Sequence, residues 1–215
     1  MSTHLYAFGS VCRGEVDKSS DIDLLACLSE PNPDFDSNRF SIYSHDRIRE
    51  LWSEGNPFAW HLHLESKLLY SSTGEDFIST LGRPARYVKA IEDCEKFRSL
   101  FSESLNSLKN ATNSPTFDIS CMFLAARNFA TCYSLGSEKA EFSRYSPLLI
   151  DEKLSISKNE FDVFVRARIL STRGYGAPLM NSDINLARES ALSIVKWMGE
   201  LADTYLAPEI HYERV

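Results

Sequence analysis

The chain has 215 residues, 43% of them hydrophobic and 25% charged, and a net charge of −7, with a pI near 5.3. That length allows one or two compact domains with a real core, and the acidic balance excludes a global attraction to DNA, RNA or an anionic membrane surface. No apolar run approaches the roughly 18 residues needed to cross a bilayer. The five cysteines, Cys12, Cys27, Cys94, Cys121 and Cys132, show no Cys-x-x-Cys spacing. They read as free, packed thiols of a reducing compartment, so a cytoplasmic location is expected. The first apolar run begins almost at Met1, so no signal peptide is expected before it.

In chain order, residues 5–10 read as a strand whose apolar run, Leu5-Tyr-Ala-Phe, ends in Gly9-Ser10. A polar turn with Arg13, Glu15 and Asp17 leads to a second strand over 21–28. Ser29 to Ser37, with its prolines and acidic residues, reads as a loop, and Arg39 to Tyr43 alternates as a third strand. Asp46 to Glu54 predicts a short helix, with Ser44 as N-cap and Gly55 as its stop. Ala59 to Tyr70 alternates apolar and polar residues and is expected to be a fourth strand, with His61, His63 and Glu65 on one face and Trp60, Leu62 and Leu64 on the other. That polar face is either solvated surface or the wall of a cleft.

Composition changes at Ser71-Ser-Thr-Gly74, and a short helix is expected from Glu75 to Leu81, stopped by Gly82. Beyond Arg83-Pro84 the spacing becomes helical. Tyr87 to Leu108, Pro115 to Gly136, Asn159 to Ser171 and Asp183 to Leu206 predict four amphipathic helices in an up-down bundle. The expected fold class is α+β, with a small mixed-sheet domain over residues 1–80 followed by an all-α bundle over 84–207. The basic clusters Arg83, Arg86, Lys89 and Arg166, Arg168, Arg173 read as solvated helix faces.

The chemistry-bearing pattern lies near the start. On a strand, Asp21 and Asp23 share a face, and two neighbouring carboxylates repel unless a cation lies between them. Mg2+ is held by one or two carboxylates together with substrate phosphates. A glycine lets backbone approach a ligand closely, and backbone N–H groups beside a hydroxyl such as that of Ser10 suit phosphate oxygens. The alternative is a surface hairpin with solvated carboxylates. The apolar run Leu24 to Leu28 argues against it, because carboxylates at the mouth of a buried strand need a partner.

Gly9-Ser10, Arg13-Gly14 and Ser20-Asp21-Ile-Asp23-Leu together resemble the signature of the DNA polymerase β superfamily of nucleotidyltransferases, in its minimal form. The two-domain layout is similar to that of antibiotic nucleotidyltransferases. The resemblance implies that Asp21 and Asp23 bind Mg2+ or Mn2+, that Gly9 and Ser10 hold phosphates of a nucleoside triphosphate such as ATP, and that Arg13 adds a contact to them. For Arg13 the alternative is a surface ion pair with Glu15 or Asp17. The bundle resembles those that help form the acceptor side of the cleft, a type related to HEPN ribonuclease domains. Those ribonucleases use an Arg a few residues before a His, whereas His211 is the only histidine here after His63, so the bundle reads as substrate- or partner-binding.

Active relatives usually carry a third carboxylate on the strand after the Asp-x-Asp strand. Here that run, Arg39 to Tyr43, holds no acid; the candidates are Asp36 in the preceding loop and Glu65. Two functions follow as expectations. One is an enzyme that transfers a nucleoside monophosphate to a hydroxyl of a protein, small molecule or RNA end and releases pyrophosphate. The other is a catalytically degenerate nucleotide-binding subunit of a defence or toxin–antitoxin assembly. Expected partners are a nucleoside triphosphate, an unidentified acceptor, and a protein partner or a second copy; the acidic surface disfavours long nucleic acids.

Overall fold

The computed structural model describes residues 2–15, 22–111 and 114–206. The fold is α+β and divides into two compact units, Met1–Val88 and Lys89–Val215.

In the first unit, strands β1 (Thr3–Phe8), β2 (Asp23–Leu28), β3 (Phe40–Ser44) and β4 (Lys67–Ser71) form one mixed sheet in the order β3-β2-β1-β4. β1 pairs antiparallel with β2 and β4, and β2 runs parallel to β3. The register Phe8↔Asp23 puts the end of β1 and the start of β2 side by side. Period-two alternation sends Tyr6, Phe8, Leu25 and Cys27 to one face. There they meet Ile48, Leu51 and Trp52 of α2 (His45–Ser53), Ala59 and Leu62 of α3 (Pro57–Glu65), and Phe77 and Ile78 of α4 (Phe77–Thr80). The buried Tyr6 hydroxyl is fully used. It donates to Asp76 Oδ1 at 2.9 Å and accepts from the Ile78 amide at 3.0 Å, and burial pushes its pKa up.

Two expected elements take a different form. Ser10, expected at the end of the first strand, and residues 11–13, expected in a polar turn, make a single helical turn, α1 (Ser10–Arg13), capped by the left-handed Gly14. The larger correction concerns 59–70, expected as one strand. Residues 57–65 are helical, and only Lys67–Ser71 is a strand. Asn56 caps this helix by accepting from the Phe58 amide at 2.9 Å, and Pro57 occupies the first turn, where its fixed φ is favourable. His61, His63 and Glu65 therefore do not share a face. His61 and Glu65 lie one turn apart and meet, whereas His63 points to the indoles of Trp52 and Trp60.

At the other end of the sheet two histidines are buried together. His4 is 4% exposed and His45 8%, with His4 Nδ1 2.9 Å from His45 Nε2. Burial is the leading cause pushing both imidazoles below their usual pKa, against smaller opposite effects of Asp76 and Glu75 on His4 and Asp46 on His45. Below about pH 6.5 the unfolded chain then binds protons that the fold refuses, so stability declines as pH falls. Thermal melts at pH 7.5, 6.5 and 5.5 should show a plateau between the first two and a lower Tm at the third. A Tm unchanged down to pH 5.5 would contradict this.

In the second unit, α5 (Ala90–Asn110), α6 (Pro115–Gly136), α8 (Lys158–Arg173) and α9 (Asn181–Leu206) are joined by a short α7 (Ser146–Leu149). α5 packs on α6, α6 on α8, α8 on α9, and α9 back on α5, which closes a four-helix arrangement. α6 is buried nearly all round, as a central helix should be, with Ile119, Met122, Ala126 and Phe129 fully enclosed. α8 starts on a capping box between Ser157 and Glu160 and stops at the left-handed Gly174. No helix among the described residues is long and apolar enough to cross a membrane.

Candidate active site

Gly9 follows β1 with φ 77° and ψ −145°, a conformation that only glycine adopts without strain. Its carbonyl accepts from the Cys12 amide at 3.0 Å, which starts the α1 turn and sets Ser10 at its head. A Cβ at position 9 would lie 2.7 Å from Asp23 Oδ2. The missing side chain is thus the space that the carboxylate occupies. The antiparallel register brings Gly9, Ser10 and Asp23 to one end of the sheet, although they are distant in sequence. Asp23 is exposed there. Asp21, the other carboxylate of the pair, lies outside the described residues.

Beside Asp23 an open cleft of about 540 Å³ is lined by residues 22–24 and 37–41. Leu24 and Phe40 are opposite one another in the parallel β2–β3 pair, so the chain next to Asp23 is that around Arg39 and Ser41. A third acid on this strand would stand there. The cleft instead has the exposed guanidinium of Arg39, chemistry that suits phosphate oxygens better than a metal.

The two candidate third acids are both engaged elsewhere. Asp36 Oδ1 accepts from the Asn38 amide at 2.8 Å and from Asn38 Nδ2 at 2.9 Å, shaping the turn into β3, and it does not line the cleft. Glu65 receives Arg13 Nη1 and stands 2.9 Å from His61 Nε2. Arg13 also contacts Glu15 through Nε at 3.0 Å. Arg13 is thus held between Glu15 and Glu65, with largely buried side chains at 17% exposure for Arg13 and 13% for Glu65. Its pairing with Glu15 is one of the alternatives that sequence leaves open; the pairing with Glu65 follows from the helical form of 57–65, which a strand reading cannot foresee. Among the described residues, no group of three or more His, Cys, Asp or Glu side chains converges as a metal cage. The donors at this sheet end, the Asp23 carboxylate and the hydroxyl of Ser10 that follows Gly9, are hard oxygens, which fit Mg2+ rather than a softer ion.

Residues 2–93 match the model of the family described as nucleotidyltransferase domain. No curated protein gives a significant match to the chain.

Proposed function

We propose that the protein, whose residues 2–93 match the nucleotidyltransferase domain family, transfers a nucleoside monophosphate from a nucleoside triphosphate to a hydroxyl acceptor and releases pyrophosphate. The observation that carries this reading is the fit of the Asp23 carboxylate into the space left by Gly9. It unites, at one sheet end, the backbone that can approach phosphates and the acid that can hold their counter-ion. Asp23, with Asp21 beside it in sequence, would hold Mg2+, which when bound supplies charge neutralisation on the transferred phosphorus and leaving pyrophosphate. Ser10 and the leading amides of α1 receive phosphate oxygens, and Arg39 steadies the triphosphate from the neighbouring strand. Arg13 acts through its ion pairs, keeping α1 in place against α3. We assign the head to about 1–80 and read the bundle, about 84–207, as the acceptor- or partner-binding part of a cytoplasmic protein.

The test is incubation of the purified protein with each α-labelled nucleoside triphosphate and Mg2+, following pyrophosphate and label. Turnover lost on removal of the divalent ion supports the reading. Pyrophosphate absent with every nucleotide, while Mg2+-dependent nucleotide binding persists, supports the second one, a degenerate nucleotide-binding subunit. That second reading is favoured by the guanidinium standing where a third acid is expected.

Glu65 separates two roles. As a partner of Arg13 and His61, its replacement in Glu65→Gln should change kcat by less than about tenfold and act mainly on KM for the nucleotide. If Glu65 were a metal ligand, kcat would fall as far as it does in Asp23→Asn. Steady-state kinetics of the two variants side by side decides the matter.

A further inference from the structure

The end of the sheet opposite Gly9 and Asp23 holds a second arrangement with chemical capacity. An open cleft of about 420 Å³ there is lined by His4, His45, Arg49, Thr73 and Glu75, among others. Thr73 is exposed, and its Oγ1 stands 3.2 Å from His4 Nε2. His4 Nδ1 in turn meets His45 Nε2 at 2.9 Å. A neutral imidazole carries one N–H and one bare nitrogen, so one ring of the pair donates and the other accepts. With His4 donating from Nδ1, its Nε2 is left as an acceptor facing the Thr73 hydroxyl. On the hydroxyl side the direction agrees. Thr73 Oγ1 lies 3.1 Å from Ser71 Oγ and 3.4 Å from the Glu75 amide nitrogen, a donor. The Glu75 amide can only donate, so a lone pair of Thr73 Oγ1 takes it, and the hydroxyl proton is free to turn to His4.

A nucleophile, a base within hydrogen-bond reach and a third group that orients the base are the general signature of an activated hydroxyl. Burial keeps His4 below its usual pKa, so the ring is neutral and able to accept a proton at pH 7. The groups facing the pair are Glu75 and Asp76 around His4, and Asp46 and Arg49 around His45. Arg49, at the rim and half exposed in its pair with Asp46, can reach phosphate oxygens.

We propose that Thr73 is an acceptor hydroxyl for a nucleotidyl group, with His4 as its base and His45 as the residue that positions His4. This rests on the nucleotidyl-transfer reading above. The Thr73 oxygen attacks the α-phosphorus of a nucleoside triphosphate, and its proton passes to His4 Nε2. The new O–P bond forms as the bond to pyrophosphate breaks and pyrophosphate leaves with the electron pair. The product is a phosphodiester on Thr73, and His4 returns the proton to water. The donor is held by a second copy of the chain. His4 and Phe8 are four residues apart along β1, on the order of 13 Å, and the molecule's own Asp23 is paired with Phe8, too far away to serve its own Thr73.

The experiment uses the full chain with α-labelled nucleoside triphosphates and Mg2+, followed by peptide mass mapping. The expected result is a nucleoside monophosphate adduct on Thr73, absent in Thr73→Val, kept in Thr73→Ser and formed about a hundredfold more slowly or worse in His4→Gln. His45→Gln, whose amide oxygen can still accept from His4, should keep more of the rate than His45→Ala. In a mixture of Thr73→Val with Asp23→Asn, label should appear on the Asp23→Asn copy. Pyrophosphate released with no adduct on Thr73 overturns this proposal and leaves the general function standing. No pyrophosphate with any nucleotide overturns the general function and, with it, the nucleotide as donor. A fluorophosphonate probe, which loses fluoride to the attacking hydroxyl, then tests the hydroxyl alone. Modification of Thr73 that His4→Gln abolishes upholds the activated hydroxyl, and an inert Thr73 ends it.

Discussion

Replacing Asp23 with Asn is expected to lower nucleotidyl transfer by about a hundredfold or more, with little change in stability. The magnitude follows from what the substitution removes. An amide of nearly the same shape still fits against Gly9, but it brings no negative charge to the place beside Gly9 where the carboxylate stands. Loss of a single electrostatic contact in a preorganised site costs about 10²–10³ in kcat, and a metal-binding acid belongs at the upper end of that range. Stability should hold because Asp23 is exposed and charge changes at the surface usually move it by less than about 0.5 kcal/mol. Pyrophosphate release and a thermal melt on the same sample provide the check. An active Asp23→Asn enzyme would remove Asp23 from the chemistry. Gly9→Ala should lose activity in the same assay for a different reason, since the new methyl would occupy the carboxylate's place.

Much of this site was legible in the sequence because its parts depend on local chemistry. Gly9 needs a positive φ, the apolar run that follows Asp23 marks it as a strand start, and each leaves a mark within a few residues. The two apolar runs and the Ser44 cap of α2 were readable in the same way. The segment 57–65 was not. Trp60-His-Leu-His-Leu alternates as a strand would, because α3 packs one side on the sheet while Trp60 is tied by its Nε1 to the Ala85 carbonyl at 3.0 Å. Apolar residues are therefore needed on more than one side of the helix, and the helical period is blurred. The signal that outweighs the alternation is Asn56-Pro57, a cap followed by a first-turn proline. Pairing of Arg13 with Glu65, and of His4 with His45, could not be seen at all, since each joins residues brought together only by strand register and helix docking.

The largest effect on stability is expected from Gly55→Ala. Gly55 has a φ of 63°, and a Cβ there would come within 2.4 Å of the Arg86 carbonyl oxygen and 2.6 Å of that of Ala85. Neither atom belongs to a flexible side chain. The segment that carries them is held down by the Trp52 indole, which donates to Gly82 O at 2.9 Å, by Trp60, and by the Ala85 amide on Trp52 O at 2.9 Å. The methyl cannot be accommodated by a rotamer change, so the backbone of 85–86 has to lift away from α2 and α3. A left-handed non-glycine residue costs about 1–2 kcal/mol, and forced overpacking about 1–3 kcal/mol more. The sum is roughly 3 kcal/mol, and for a unit of this size each kcal/mol lowers Tm by about 4–8 °C. A Tm drop of roughly 10 °C or more is the expected result in calorimetry. The same substitution at Gly74 supplies the control, because its φ of 80° is similarly left-handed but a Cβ there would meet nothing within 4 Å. If Gly55→Ala and Gly74→Ala fall by the same amount, the contact with 85–86 contributes nothing and backbone strain alone accounts for both.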